Sequence, residues 1–219
     1  MISTPQSVVV VDDHPLFRRG LIQLLNTIEG FRLVGEAANG RDGIDLVKLT
    51  RPDLLLLDLN MKGLSGLDVL KIVKACDFET RVVMVTVSDQ ADDLVAALRG
   101  GADGYLLKDM EPEEMVGSLE AAAAGRVIVS DALTHLLAAA IRHNNRPDNA
   151  GDAGLTDQEN RILERIAAGL SNKVIGKELD IAEGTVKVHV KHILRKLGLR
   201  SRVEAAVWAV EHLLKSRGG

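Results

Sequence analysis

RPDLLLLDLN, residues 51–60, sets four consecutive leucines directly before an aspartate. A continuous aliphatic run of that length suits a strand covered on both faces, as a parallel sheet requires. The signature recurs on either side of it. Val8–Val11, Arg32–Ala37, Val82–Val85 and Tyr105–Leu107 are short and mostly aliphatic. Helical periodicity fills the intervals, near residues 15–27, 41–49, 66–75, 91–99 and 112–124. Five alternating strand–helix units predict an α/β fold, a doubly wound five-stranded parallel sheet. RHNNRPDNAGDAG, residues 142–154, breaks the pattern with a polar composition rich in Gly, Asn and Asp, as linkers are. Beyond it four helical patterns, at about 156–168, 172–179, 183–197 and 201–215, predict a small all-α four-helix domain. Thr156 with Glu159 makes a capping box for the first helix, and Gly169 and Gly198 are natural stops for the first and third. The expected division is a domain over residues 1–126, a linker helix and flexible linker over 127–154, and a second domain over 155–219.

Composition narrows the class. The chain is 46% hydrophobic but only 2% aromatic, so its cores are aliphatic. The single cysteine, Cys76, excludes an internal disulfide and fits a reducing compartment. The amino terminus, MISTPQSVVVVDD, lacks the charged region of a signal peptide. No stretch reaches the roughly 18 apolar residues of a membrane helix, and the expected location is the cytoplasm. A net charge of -4 divides unevenly, with -8 on residues 1–154 and +4 on residues 155–219. The basic half is the candidate for nucleic acid, and the acidic half is expected to attract and mask it.

Three carboxylates stand at strand ends. Asp12 and Asp13 follow Val8–Val11, and Asp58 follows Leu54–Leu57. In open parallel sheets, ligands bind beyond the carboxyl ends of the strands. Carboxylates brought together there repel unless a cation intervenes, and Mg2+ is the hard, oxygen-seeking ion that answers this need. Thr86 follows the fourth strand and Lys108 the fifth, at the same edge. A carboxylate cluster with a metal, a hydroxyl and an ammonium suits phosphoryl transfer onto Asp58. One strand-end aspartate alone would be an ordinary turn cap. Five polar residues on one edge, from all but one strand, are not explained that way.

VVVVDDHP, LLLLDLNM, VVMVTVSD and GADGYLLKDMEPEE resemble the receiver domain of two-component response regulators, over about residues 7–125. The resemblance implies a flavodoxin-like fold in which Asp58 accepts the phosphoryl group from a cognate sensor histidine kinase. It implies that Asp12, Asp13, Asp58 and the backbone carbonyl of Asn60 surround the metal. Thr86 and Lys108 would then bind phosphate, and Tyr105 would be the switch aromatic that fills the space Thr86 vacates. One departure stands out: Lys62 occupies a position where the family usually has Pro, which predicts a looser loop.

The helix at 183–197, EGTVKVHVKHILRKL, buries Val186, Val190, Ile193, Leu194 and Leu197 on one face. Its opposite face carries Gly184, Lys187, Val188, Lys191 and Arg195. A basic stripe alone is ordinarily solvated surface. An apolar Val188 within it is placed to touch a thymine methyl in a major groove. GLSNKVIGKELDI supplies the preceding helix, with Ser171 as its cap and Asn172 and Lys173 as candidate phosphate contacts. Residues 155–210 resemble the LuxR-type helix-turn-helix, and the whole chain resembles the NarL/FixJ class of regulators, most of all its nitrate/nitrite regulators. That implies a transcription regulator of double-stranded DNA, binding as a homodimer and working with RNA polymerase. Lys187, Val188 and Lys191 would read bases, with Thr185 and Arg195 also in contact with DNA. Ala182 replaces the usual Ser or Thr at the turn, and Gln158 replaces the usual Arg.

Other readings fit less well. An aspartyl phosphatase would carry a second acid two residues after its nucleophile, whereas Asp58 is followed by Leu59 and Asn60. A nucleotide or flavin module would show a Gly-rich loop after the first strand, where DDHPLFRRG stands. A receiver that had lost phosphorylation would lack part of the Asp12, Asp13, Asp58, Thr86 and Lys108 set. The expected molecule is therefore a regulator and not an enzyme.

Overall fold

Val8–Val11 and Leu54–Leu57 are at most 1% exposed, because they form two interior strands of a sheet covered on both faces. The computed structural model describes residues 5–76, 78–124, 126, 128–129, 154–199 and 201–216. The strands β1 (Gln6–Val11), β2 (Phe31–Ala37), β3 (Leu54–Leu57), β4 (Arg81–Thr86) and β5 (Gly104–Leu107) are parallel throughout. They alternate with helices α1 (Pro15–Leu25), α2 (Gly40–Thr50), α3 (Gly66–Ala75), α4 (Ala91–Arg99) and α5 (Pro112–Ala123). Each begins and ends within two residues of the sequence expectation. The sheet also has a sixth strand, β6 (Ile128–Val129), beside β5. The sequence reading put those residues in the linker, since two residues carry no periodicity. Apart from them and Gly154, the segment from 127 to 154, with its expected linker helix, lies outside the described residues.

Alternation along the strands builds two cores. Val9, Val11, Leu55 and Leu57 face α2, α3 and α4, meeting Val47, Val69, Leu70 and Leu94. Val8, Val10, Leu54 and Leu56 face α1 and α5, meeting Leu21, Leu25, Met115 and Leu119. The strand order is β2-β1-β3-β4-β5-β6. The chain therefore reverses its winding at β1 and β3, the crevice where open α/β sheets hold ligands. Pairing of Val11 with Leu57 makes Asp12 and Asp58 the next residues of adjacent strands.

The second domain has its own core around Ile162, Ile166, Ile175, Val186, Ile193 and Trp208. Its helices are α6 (Asp157–Ala167), α7 (Asn172–Leu179), α8 (Glu183–Lys196) and α9 (Arg202–Ser216). The capping box on α6 forms: the Thr156 N–H donates to Glu159 Oε2 at 2.8 Å, and the Glu159 N–H donates to Thr156 Oγ1 at 3.2 Å. Ser171 caps α7 by accepting from the Val174 N–H, while Ala182 gives α8 no side-chain cap. Gly169 and Gly198 end their helices at φ of 76° and 63°, a region that costs other residues strain.

Candidate acidic site and nucleic-acid interface

The strand ends bring the five expected residues to one edge of the sheet. Asp12 and Asp58 are each 2% exposed and Thr86 is fully buried. Lys108 Nζ lies 2.7 Å from Asp12 Oδ2 and 2.9 Å from Asp58 Oδ2, with the Phe17 ring 4.8 Å away on α1. One ammonium among three carboxylates leaves two negative charges uncompensated. The turns hold the acids in place. The His14 N–H donates to Asp12 Oδ1 at 2.7 Å, and the Asn60 N–H donates to Asp58 Oδ1 at 3.3 Å. Arg18 Nη1 donates to the Asp12 carbonyl at 2.5 Å.

Two oxygens remain without a directed hydrogen bond although they are buried: Asp13 Oδ1 and Asp58 Oδ2. Lys108 is an ion-pair partner of Asp58 Oδ2 but lies off the line of a hydrogen bond to it. A buried carboxylate oxygen left this way is costly unless a cation completes its shell. The donor set, hard oxygens around a charge deficit of two, fits a divalent ion.

The structure also shows what the sequence reading missed. Lys62 adds a backbone tie to its loop. Its N–H, which Pro would lack, donates to Asp13 Oδ2 at 3.0 Å and ties the β3–α3 turn to the β1 turn. Gly66 is required at the start of α3, because a Cβ there would lie 2.1 Å from the Asp58 carbonyl oxygen. His14 carries Nδ1 to 3.0 Å from Asp13 Oδ1. The DDH order carried a sequence signal for His14. Gly66 had none, since the clash depends on how closely α3 crosses the Asp58 turn.

Tyr105, the expected switch aromatic, stands on β5 beside β4. It is already fully buried, and its hydroxyl donates to the Ser88 carbonyl at 3.0 Å. Burial pushes its phenol up to about 12, so it remains a neutral donor. Thr86 Oγ1 accepts from the Ser88 N–H at 3.2 Å, and Ser88 Oγ donates to Asp93 Oδ2 on α4 at 2.6 Å. Ser88 thus links Thr86 to Tyr105 and α4.

In the second domain α8 has the two faces read from sequence. Val186, Ile193 and Leu197 are fully buried, and Val190 and Leu194 pack at the edge of the same core. Thr185, Lys191 and Arg195 are exposed, and Val188 is 53% exposed. Asn172 and Lys173 open α7 nearby, though Asn172 Oδ1 already accepts from Arg202 Nη1 at 2.8 Å.

The two domains touch at Lys187, one of the residues expected to meet DNA, and through α9. Lys187 pairs with Glu79 of the first domain. A cleft of about 770 Å³ is lined by Lys74, Glu79 and Asp103 on one side and by Asn172, Lys173 and Lys187 on the other. Val203 of α9, fully buried, belongs to the core of the first domain, with Val207 beside it, and α9 meets α4. Burial pushes the neighbouring Arg202 guanidinium down to about 10, against the pull of Asp103, and it stays charged at neutral pH. Among the described residues no helix is long and apolar enough to cross a membrane.

Comparison with known proteins agrees with this architecture. Residues 8–120 match the response regulator receiver domain, and residues 153–209 match the bacterial regulatory proteins of the luxR family. The chain is 50% identical to the nitrate/nitrite response regulator protein NarL of Escherichia coli K12, over 93% of this chain and 94% of that protein. It is 46% identical to a nitrate/nitrite response regulator homolog of Haemophilus influenzae, over 91% and 94%. The crystal structure of the response regulator ChrA, from a heme-sensing two-component system, superimposes with a TM-score of 0.53 at 28% identity, covering 97% of this chain and all of that one. With both domains matched in this order, the chain belongs to the two-component response regulators of the NarL/FixJ class, which join a receiver domain to a LuxR-family regulatory domain.

Proposed function

We propose that the chain is a transcription regulator in which phosphorylation of Asp58 controls whether α8 can reach DNA. The observation that carries the reading is the buried Asp12–Asp58–Lys108 cluster, with two oxygens that lack a directed hydrogen bond and suit a divalent ion. Asp12, Asp13, Asp58 and the Asn60 carbonyl would hold Mg2+, which neutralises charge on the transferring group. Asp58 is the nucleophile. Lys108 stabilises the phosphoryl oxygens, and the Thr86 hydroxyl donates to one of them. The phosphodonor is a cognate sensor histidine kinase, for which Leu16 and Val87, 86% and 68% exposed beside the site, offer apolar purchase. Its signal is nitrate or nitrite, as the names of the relatives suggest. The chain itself turns over no substrate, since no second acid follows Asp58 at the phosphatase spacing.

Before phosphorylation the receiver masks the DNA face. The pairing of Lys187 with Glu79 and the burial of Val203 in the receiver core support this. Phosphorylation draws the Thr86 hydroxyl from the Ser88 N–H. Ser88 passes the change to Asp93 and Tyr105, and so to α4 where α9 rests. Once released, Lys187, Val188 and Lys191 read bases, while Asn172, Lys173, Thr185 and Arg195 hold the backbone. One recognition helix specifies too few base pairs for a genome, so the protein acts as a homodimer on paired half-sites, with RNA polymerase, in the cytoplasm. The proposed division is residues 1–126, 127–154 and 155–219, with β6, whose Ile128 packs in the receiver core, attached to the receiver.

The test is direct. Incubation with a small phosphodonor and Mg2+, followed by mass spectrometry, should label Asp58 alone. Full labelling of Asp58→Asn would overturn the assignment.

A further inference from the structure

His14 adds a nitrogen to a site otherwise built of oxygen. Its side chain is 63% exposed, so packing does not force it inward, yet Nδ1 lies 3.0 Å from Asp13 Oδ1 and 3.6 Å from both Asp12 Oδ1 and Asp58 Oδ2. One donor atom from each of Asp12, Asp13, His14 and Asp58 falls within 4.8 Å of all the others. Lys108 Nζ, 2.9 Å from Asp58 Oδ2, is the one ammonium at this cluster. Asp13 Oδ2 and Asp58 Oδ1 are occupied by the Lys62 and Asn60 N–H groups, leaving Asp13 Oδ1 and Asp58 Oδ2 as the buried oxygens without a directed hydrogen bond. The Asp58 side chain is 1% exposed, so water does not serve that oxygen freely. Adjacent donors on an octahedral ion with bonds near 2.1 Å are about 3 Å apart, the spacing of His14 and Asp13.

We infer that His14 is a metal ligand that sets the specificity of this site, giving it a preference for a first-row transition ion, for which Mn2+ is the probe, over Mg2+. The inference rests on reading the cluster as the receiver's divalent-ion site. Imidazole suits Fe2+, Ni2+, Cu2+ and Zn2+, whereas carboxylate, carbonyl and water suit Mg2+ and Mn2+, so Mn2+, the weakest binder of the transition series, is the most stringent probe of a nitrogen ligand. A histidine that served only as a charge partner of the carboxylates would behave oppositely. It would compete with every divalent cation, and its removal would raise affinity for both ions alike.

The experiment uses the full chain. Mn2+ binding is followed by loss of the free-ion signal in electron paramagnetic resonance, and Mg2+ binding by competition. Pulsed resonance of the bound Mn2+ reads any directly coordinated 14N. The wild type should show 14N coupling. His14→Ala and His14→Gln should lose it and lose at least about tenfold in Mn2+ affinity, the low end of what even outer partners of a metal contribute, with Mg2+ affinity changed less than twofold. Absence of 14N coupling in the wild type, or equal changes for the two ions in both variants, overturns the inference. Labelling of wild-type Asp58 with a phosphodonor and Mg2+ is scored separately. Its failure would count against the phosphorylation reading, whereas missing 14N coupling with intact labelling would count against His14 alone.

Discussion

Truncating Val203 to Ala tests the domain contact where it is strongest. Val203 lies on α9 of the DNA-binding domain but is fully buried in the receiver core. The change deletes two methyl groups, which at about 0.8 kcal/mol each amounts to about 1.6 kcal/mol, or roughly a 15-fold shift toward the open form. The Lys187–Glu79 pair is a weaker tie. Its side chains are 40% and 80% exposed, and exposed pairs contribute at most about 1 kcal/mol, screened further by salt. Glu79→Ala should therefore open the molecule no more than about fivefold, less at high salt. The assay is titration of a selected operator with unphosphorylated full-length protein at one fixed salt concentration. Val203→Ala should bind about 15-fold more tightly than wild type, because apparent affinity scales with the competent fraction. The same substitution in a fragment of residues 154–219, which keeps the core around Trp208, should leave affinity unchanged. Masking through this contact is refuted if full-length Val203→Ala binds like wild type. It is also refuted if the fragment shifts by the same factor.

Further outcomes follow from other contacts. Val188→Ala should cost about 1–3 kcal/mol of discrimination at one thymine and leave non-specific binding alone, measured on operators with single base changes; equal losses on all sequences would make Val188 mere surface. Gly66→Ala should destabilise the receiver by about 1–3 kcal/mol and slow Asp58 labelling, because the new Cβ meets the Asp58 carbonyl; unfolding in urea and the labelling rate both report this, and a variant unchanged in both would show that α3 yields. Glu159, 3% exposed, is pulled up by burial but held lower overall by Lys196 and Thr156, ending below its ordinary 4.5. A depressed carboxyl stabilises above its unfolded value, and that support is lost as pH falls through the folded value. Thermal unfolding followed by Trp208 fluorescence should thus drop as pH falls below 4.5 in the wild type. Glu159→Gln should be less stable at pH 7 and flatter in acid, and parallel curves would remove Glu159 from the explanation.

Periodicity made the fold legible, and chemistry at strand ends made the acidic site legible. LLLLD and VVVVDD each state a buried strand and the residue that terminates it, so Asp12 and Asp58 could be paired before any coordinates. What escaped depends on approach distances between elements. The Lys62 N–H reads as a missing proline in sequence and as a donor to Asp13 only in three dimensions. β6 is too short for any pattern. Val203 has the helical spacing of an ordinary core residue, and nothing in its spacing says that the core belongs to the other domain.

That last point bears on how a switch of this kind can work. Among the described residues, the domains are held by a buried valine, its neighbour Val207, a half-buried Arg202 and an exposed ion pair. Arg202 is held against a desolvation cost that Asp103 only partly offsets, so it fixes geometry more than it adds stability. The apolar contact is therefore the main favourable term, and it is worth only a few kcal/mol. A tighter interface would resist the signal. Moving a two-state equilibrium from 1:99 to 99:1 takes about 5.5 kcal/mol, and a phosphoryl group acting through Thr86, Ser88 and α4 has only a few hydrogen bonds to spend. The proposed relay and the small interface match each other: with Asp58 as the proposed phosphorylation site, an interface resting on Val203 lies within reach of the signal.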